Sequence, residues 1–179
     1  MSNAPHRGGR AIVLMGVTGA GKTTVGELLA ARLAARFAEG DAYHPPANVA
    51  KMRAGIPLED ADRWPWLEAI RADLARWMAG GETAVVACSA LKRAYRDLLR
   101  RAGPGILFVH LVGPPQLIAT RLAGRRGHYM PPGLLPSQLA TLEDPTGEPD
   151  VVTVSIDRPP EAIVEAILAR LREPPPPAG

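Results

Sequence analysis

One stretch of eight residues, Gly16-Val17-Thr18-Gly19-Ala20-Gly21-Lys22-Thr23, constrains this chain more than any other. It fits the pattern G-x-x-x-x-G-K-[ST], and its flanks supply the context that gives the pattern meaning. Ahead of it runs Ala11-Ile12-Val13-Leu14-Met15, a short apolar segment with a β-branched pair, as a buried strand requires. Behind it, Val25, Leu28, Leu29 and Leu33 recur along one stripe, which predicts an amphipathic helix over residues 22–35. A strand that feeds a glycine-rich turn and then a helix aims backbone N–H groups and a positive dipole end at one spot. Glycines let those amides turn inward, so Gly16, Val17, Thr18, Gly19, Ala20, Gly21, Lys22, Thr23 and Thr24 are expected to cradle a polyphosphate. In that arrangement the Lys22 ammonium reaches the β- and γ-phosphates and the Thr23 hydroxyl ligates Mg²⁺. The chain is expected to bind a nucleoside triphosphate.

The remaining elements follow in alternation. Short strands are expected at 36–41, 83–88, 106–112 and 151–156, and helices at 65–78, 90–101, 115–124 and 161–172. Ser89 is read as the cap of the helix at 90–101, and Asp60 and Asp62 lie just before the helix at 65–78, whose positive end they suit. This order implies an α/β three-layer sandwich around a mostly parallel sheet. Residues 1–10 read as a loose tail, 11–173 as one domain with a small lid at about 124–137, and 174–179 as a proline-rich tail.

Several residues carry candidate chemistry. Glu39 and Asp41 end the short strand at 36–41, where a period of two puts both on one face. One of them can hold Mg²⁺ through water while the other orients or deprotonates a substrate hydroxyl. No Asp directly follows the strands at 83–88 or 106–112, which leaves this pair as the source of an acidic group near the metal. Residues 42–63 are irregular and mix several polar types between prolines, as a substrate-facing segment does. Lys92 falls in the first turn of the expected helix at 90–101, an awkward place for a cation but a natural one for a ligand group beyond a strand's end. His110 reads as a core or edge histidine, Cys88 as core, and Trp64 and Trp66 as either core or pocket wall. Arg121, Arg125 and Arg126 surround a Pro/Gly-rich loop, the arrangement of a lid whose cations reach a transferring phosphoryl group on closure.

Composition narrows the classes. A net charge of +3, spread along the chain, does not mark a nucleic-acid-binding face. A single cysteine excludes an internal disulfide and suggests a reducing, cytoplasmic compartment. No apolar run approaches the roughly 18 residues of a membrane-spanning helix. There is no Asn-Lys-x-Asp guanine motif of a GTPase switch, and Asp144-Pro145-Thr146-Gly147 meets a switch-type Asp-x-x-Gly only in a loop.

Beyond the phosphate loop, the run Glu39 to Met52, then Gly55-Ile56-Pro57-Leu58 and Asp62-Arg63-Trp64-Pro65-Trp66-Leu67, resembles the signature of gluconate kinases. Cys88 to Asp97 and Arg126-Gly127-His128-Tyr129-Met130-Pro131 resemble the same family, so the likeness spans residues 12–156 in four ordered motifs. One position departs from it: Tyr43 stands before His44 where the family usually has a smaller aliphatic residue, and near a pocket this bears on which sugar acid fits. The resemblance implies the phosphate-loop fold of nucleoside monophosphate kinases, ATP with Mg²⁺, D-gluconate as small-molecule substrate and a homodimer, with no nucleic-acid or membrane partner. Together with the chemistry it makes Lys22, Asp41, Arg125 and Arg126 the catalytic candidates, with Arg121 beside the nucleotide. Thr23, Glu39 and Asp41 are the metal candidates. Asp41, His44, Lys51, Arg53, Arg63, Lys92 and His128 are candidates for the acceptor's hydroxyls and carboxylate, arginine being suited to bidentate carboxylate binding. Another acceptor on the same scaffold, such as shikimate, or a nucleotide-dependent ATPase or switch, are the alternatives.

Overall fold

The computed structural model describes residues 8–124 and 133–173. Thirteen elements follow one another: β1 (Arg10–Met15), α1 (Lys22–Leu33), β2 (Arg36–Glu39), a 3₁₀ turn (Gly40–Tyr43), α2 (Pro46–Arg53), α3 (Asp60–Ala79), β3 (Thr83–Ala87), α4 (Arg93–Arg100), β4 (Ile106–Val112), α5 (Pro115–Ala123), α6 (Leu134–Thr141), β5 (Val151–Ser155) and α7 (Pro160–Arg172). The strands form one sheet in the order β2-β3-β1-β4-β5, with every pairing parallel.

Parallel strands need crossovers, and here helices cover both faces. Alternate residues of the central β1 therefore enter two separate cores. Ile12 and Leu14 join Val25 and Leu29 of α1 and Ile163 and Ile167 of α7. Ala11, Val13 and Met15 join Trp66, Leu67, Ile70 and Leu74 of α3 and Leu99 of α4. Residues 11–15 are at most 2 % exposed, which explains why β1 reads as an unbroken apolar run. The three-layer α/β expectation holds, and the sheet is parallel throughout.

Four boundaries differ from the sequence reading. The strand expected at 36–41 stops at Glu39, because Gly40 lies against β3 so closely that a Cβ there would sit 2.3 Å from the Ala87 carbonyl. The Gly40 carbonyl accepts the Trp66 indole N–H (2.7 Å) instead of continuing the ladder. Asp41 thus stands on a 3₁₀ turn, and the period-two argument that put it on one strand face with Glu39 fails. The segment at 42–63 is not irregular throughout: α2 forms within it, opened by Pro46 at a first helical position where a missing N–H costs nothing. α3 begins at Asp60 rather than at residue 65, because the Asp62 carboxylate reaches back to the Glu59 N–H (2.9 Å) as half of a capping box. Pro65 is carried inside the helix, and Asp60 and Asp62 sit in its first turn rather than before it.

The fourth difference concerns the exit of β3. α4 starts only at Arg93, so Lys92 precedes the helix as its N-cap rather than lying in its first turn, and the Asp60 carboxylate (3.0 Å) offsets the positive end there. Ser89 caps nothing; its carbonyl accepts the Gly16 N–H (3.2 Å), and Ala90 turns the chain at φ +44.

Arg96 holds this exit in place. Its side chain is fully buried, pairs with Glu148 (2.7 Å) and donates to the carbonyls of Ala90 (2.8 Å), Leu91 (3.1 Å) and Glu143 (3.1 Å). Arg100 adds a second bond to Glu148 (2.6 Å) and one to Asp150 (2.7 Å). Burial pushes the Glu148 carboxyl up, but the two arginines outweigh it and hold the group below its ordinary value of 4.5. Removing one partner strands a buried charge, so Arg96→Ala should cost about 3–5 kcal/mol in urea unfolding. Because Glu148 is depressed in the folded state, its contribution is complete above pH 4.5 and is lost as pH falls below it. The stability gap between wild type and Glu148→Gln should therefore narrow in acid; a gap independent of pH would contradict the pairing.

Candidate active site

The exits of β1, β2 and β3 lie side by side on one edge of the sheet, and the candidate residues gather there. The loop after β1 enters α1 through Gly21, at φ +91, a left-handed conformation that favours glycine. Gly19, at φ +80, lies against α5, where a Cβ would come within 2.7 Å of Leu122. The N-terminus of α1 has no side-chain cap and no acidic residue in its first turn, so its amides and dipole are left to an anion. Lys22 folds back over the loop, donating to the carbonyls of Gly16 and Val17, both at 2.9 Å.

β2 delivers Glu39 to the same place. The Thr23 hydroxyl donates to the Glu39 carboxylate at 2.5 Å, so the two hard oxygens expected near Mg²⁺ already touch. Asp41 follows on the 3₁₀ turn, exposed. Burial pushes the adjacent Cys88 thiol up to about 12, and Asp41, Lys22 and Glu39 all act on it electrostatically. Cys88 is thus a protonated core residue, as expected, ringed by the three groups that matter. Among the described residues no group of three or more metal-ligating side chains occurs. A magnesium ion that keeps most of its waters needs only one or two protein oxygens, and Thr23 and Glu39 fit that demand.

The acceptor candidates form a second cluster, built where α2, α3 and the exit of β3 meet. His44 stacks on Trp66 at 4.3 Å between ring centres, and its Nδ1 meets the Asn48 side-chain amide at 3.2 Å. Burial lowers the His44 pKa, with Asp41 opposing and Arg63 assisting, so the ring is neutral at physiological pH. Asn48 also donates to the Asp62 carbonyl (2.8 Å). Lys51 pairs with the Asp62 carboxylate at 2.9 Å, and Lys92 with Asp60 at 3.0 Å. Arg63 donates to the Tyr95 hydroxyl (2.9 Å), which itself donates to Asp60. The Tyr95 bond, then Lys92, keeps Asp60 below the usual carboxylate range, and the Asp60 bond keeps Lys92 above the usual ammonium range. Trp66 is therefore core, while Trp64 is exposed and edges Tyr95 at 5.5 Å.

Not every expectation converges. Arg53 is exposed on the last turn of α2 with no side-chain partner among the described residues. Arg121 donates to the Ile156 carbonyl (2.8 Å), beside the loop through its neighbour Leu122. Tyr43 points away, bonding Asp73 on α3 (2.7 Å), so its hydroxyl is committed to the scaffold. Arg125, Arg126 and His128 lie outside the described residues, as does most of the expected lid; its last residues begin α6. His110 is buried, as expected of a core position. Sequence reasoning missed Asp60, Asp62, Asn48 and Tyr95 as functional groups. Only the Asp60 and Asp62 spacing offered a local sign, since both acids share a first turn with Arg63 beside them.

Comparison with known proteins identifies relatives of this chain. The model of the shikimate kinase family matches residues 18–172. A gluconokinase of Gluconobacter oxydans is 50 % identical over 159 residues, covering 89 % of each chain. The thermosensitive gluconokinase of Escherichia coli is 44 % identical over 150 residues, covering 83 % of this chain and 80 % of that one. The crystal structure of a gluconokinase from Sinorhizobium meliloti superposes with a TM-score of 0.82 at 52 % identity, over 90 % of this chain and 93 % of the other. With a glycine-rich phosphate loop between β1 and α1 and relatives of this identity over most of its length, this chain belongs to the gluconokinase family of phosphate-loop kinases.

Proposed function

We propose that this kinase transfers the γ-phosphoryl group of Mg²⁺-bound ATP to D-gluconate, giving 6-phospho-D-gluconate. The observation that carries the reading is the continuity from Thr23 and Glu39, through the turn bearing Asp41, to the cluster of His44, Arg63 and Lys92. One path of chain joins a triphosphate site to a site rich in cations and neutral hydrogen-bonding groups, which suits a polyhydroxy carboxylate.

Thr23 and Glu39 would hold Mg²⁺, which supplies charge neutralisation on the β- and γ-phosphates. The Gly16 and Thr18 amides are held by Ser89 and Gln138, so the phosphates fall to the amides of Gly19 and of Gly21 to Thr23. Lys22 exchanges its two carbonyl acceptors for phosphate oxygens. Asp41 orients the terminal hydroxyl of the acceptor and accepts its proton. A loose transition state asks little of a base, so the position of this carboxylate matters more than its basicity. Arg63 and Lys92 take the acceptor's carboxylate, helped by Lys51 and His128, while neutral His44 serves a hydroxyl; Arg53, exposed on the last turn of α2, has no part in it. Arg121, Arg125 and Arg126 neutralise the charge spread over the transferring group. A cytoplasmic homodimer without nucleic-acid or membrane partners goes with this reading; no helix among the described residues is long and apolar enough to cross a membrane.

ADP release measured with gluconate, shikimate and other aldonates tests the assignment. Gluconate should give the highest kcat/KM; a preference for shikimate would overturn it. Asp41→Asn should lower kcat roughly 100-fold or more with ATP binding intact. Turnover near that of the wild type would remove Asp41 from the reaction. Lys92→Ala should raise KM for gluconate about tenfold, as expected for losing one charge-assisted bond, with KM for ATP unchanged. An equal rise for both substrates would place Lys92 elsewhere.

A further inference from the structure

The peptide unit joining Val17 to Thr18 is gripped from both sides. Its carbonyl accepts the Lys22 ammonium at 2.9 Å, and its N–H donates to the Gln138 side-chain oxygen at 2.6 Å. In a trans peptide these two groups point in opposite directions, so the two bonds together admit one orientation of the unit. A flip would put a carbonyl against the Gln138 oxygen and take from Lys22 one of its two backbone acceptors.

Gln138 reaches the loop from α6, 120 residues further along the chain. Leu135 and Leu139 on that helix, and Leu142 directly after it, pack against the core that includes Val25 and Leu29 of α1. A glutamine at i+3 within an apolar i, i+4, i+7 stripe is a polar group among positions that otherwise serve burial. Because the Thr18 amide can only donate, the Gln138 atom facing it must be the carbonyl oxygen. The helix is itself braced: directly after it, the Glu143 N–H bonds the Leu91 carbonyl (2.8 Å), next to the Arg96-held exit of β3. α5 meets the adjacent residue of the loop, with Ile118 and Leu122 closing on Gly19. The elements on either side of residues 125–132 thus contact consecutive residues, Thr18 and Gly19.

We propose that Gln138 is a positioning residue for phosphoryl transfer, fixing the Val17–Thr18 peptide, and through it the amides the loop presents and, before nucleotide binds, the station of Lys22. The proposal rests on the reading of Lys22 as the cation that contacts the phosphates. Gln138 touches neither substrate in this role; it determines where the lysine waits and how the first half of the loop presents its amides.

Two variants separate this from packing alone. Gln138→Leu keeps the bulk and removes the acceptor, whereas Gln138→Glu keeps an acceptor oxygen at the same reach. Gln138→Leu should lower kcat/KM for ATP at least about tenfold, because small displacements of a reacting group are costly, while KM for gluconate stays within about twofold. Gln138→Glu should recover most of kcat. Its KM for ATP should rise at neutral pH, where the added carboxylate faces the triphosphate, and fall back as pH drops towards the carboxylate range. Amide exchange of Thr18 in the nucleotide-free protein should be slow in the wild type and in Gln138→Glu, and faster in Gln138→Leu. The proposal is overturned if folded Gln138→Leu keeps wild-type ATP kinetics, if both variants lose activity equally, or if the Thr18 amide exchanges freely in the wild type. Lys22→Ala run alongside keeps the two readings apart. Its loss of activity together with an unaffected Gln138→Leu sinks only the positioning role, whereas an active Lys22→Ala sinks the role of the lysine itself.

Discussion

Parallel pairing of β1 with both β3 and β4 is the constraint on which the rest of the molecule depends. Parallel strands must all leave the sheet on the same side, so the chain's departures from β1, β2 and β3 are forced into one neighbourhood. The phosphate loop leaves β1, Glu39 and Asp41 leave β2, and Ser89 to Lys92 leave β3. Backbone bonds tie the neighbours together there, Cys88 N–H to the Leu14 carbonyl (3.0 Å) and Gly16 N–H to the Ser89 carbonyl (3.2 Å). The apolar sequences of β1 and β3 are therefore also what brings the loop bearing Lys22, the turn bearing Asp41 and the segment bearing Lys92 to one edge of the sheet.

Charge at this edge is balanced locally. Lys51 and Lys92 are two of only three lysines in the chain, and each is paired with an acid of the first turn of α3, Asp62 and Asp60. Those acids also complement the positive end of the helix, so one turn of α3 caps itself and holds two acceptor-side cations. The pairs are partly exposed, and solvent screens such pairs strongly. In the proposed reaction a substrate carboxylate would compete for Lys92 and Arg63 with these solvent-screened partners. The paired state also fixes where the cations wait, much as the Val17 and Gly16 carbonyls fix Lys22.

The sequence was most legible where one local pattern decides the outcome. The phosphate loop, the four expected strands after β1 and the terminal helices lie within a residue or two of their expected places, apart from β2. There the chain leaves the sheet because Gly40 must clear the Ala87 carbonyl, a contact with a residue far along the sequence. The same applies to the site. Lys22, Thr23, Glu39 and Asp41 were readable from a motif and two acids beside it. Tyr95 bridging Arg63 and Asp60, and Gln138 on Thr18, depend on pairings 32 to 120 residues apart that no local period signals. At α3 the expected start at residue 65 is late, because the Glu59–Asp62 box starts the helix at Asp60.

The exit of β3 shows how such long-range pairings serve the site. Ala90 at φ +44 occupies a left-handed conformation that costs a non-glycine residue about 1–2 kcal/mol. That strain is tolerated because the Arg96 guanidinium bonds the Ala90 and Leu91 carbonyls on one side and Glu148 on the other, all in a buried setting. Strain held by a surrounding network is a common feature of functional segments. Here it turns the chain so that Lys92 comes off the strand end facing Asp60 rather than continuing into α4. The buried arginine and the glutamate from the loop before β5 therefore act on the acceptor cluster without touching it. A change at position 148 should be felt at Lys92 through the backbone of Ala90 and Leu91.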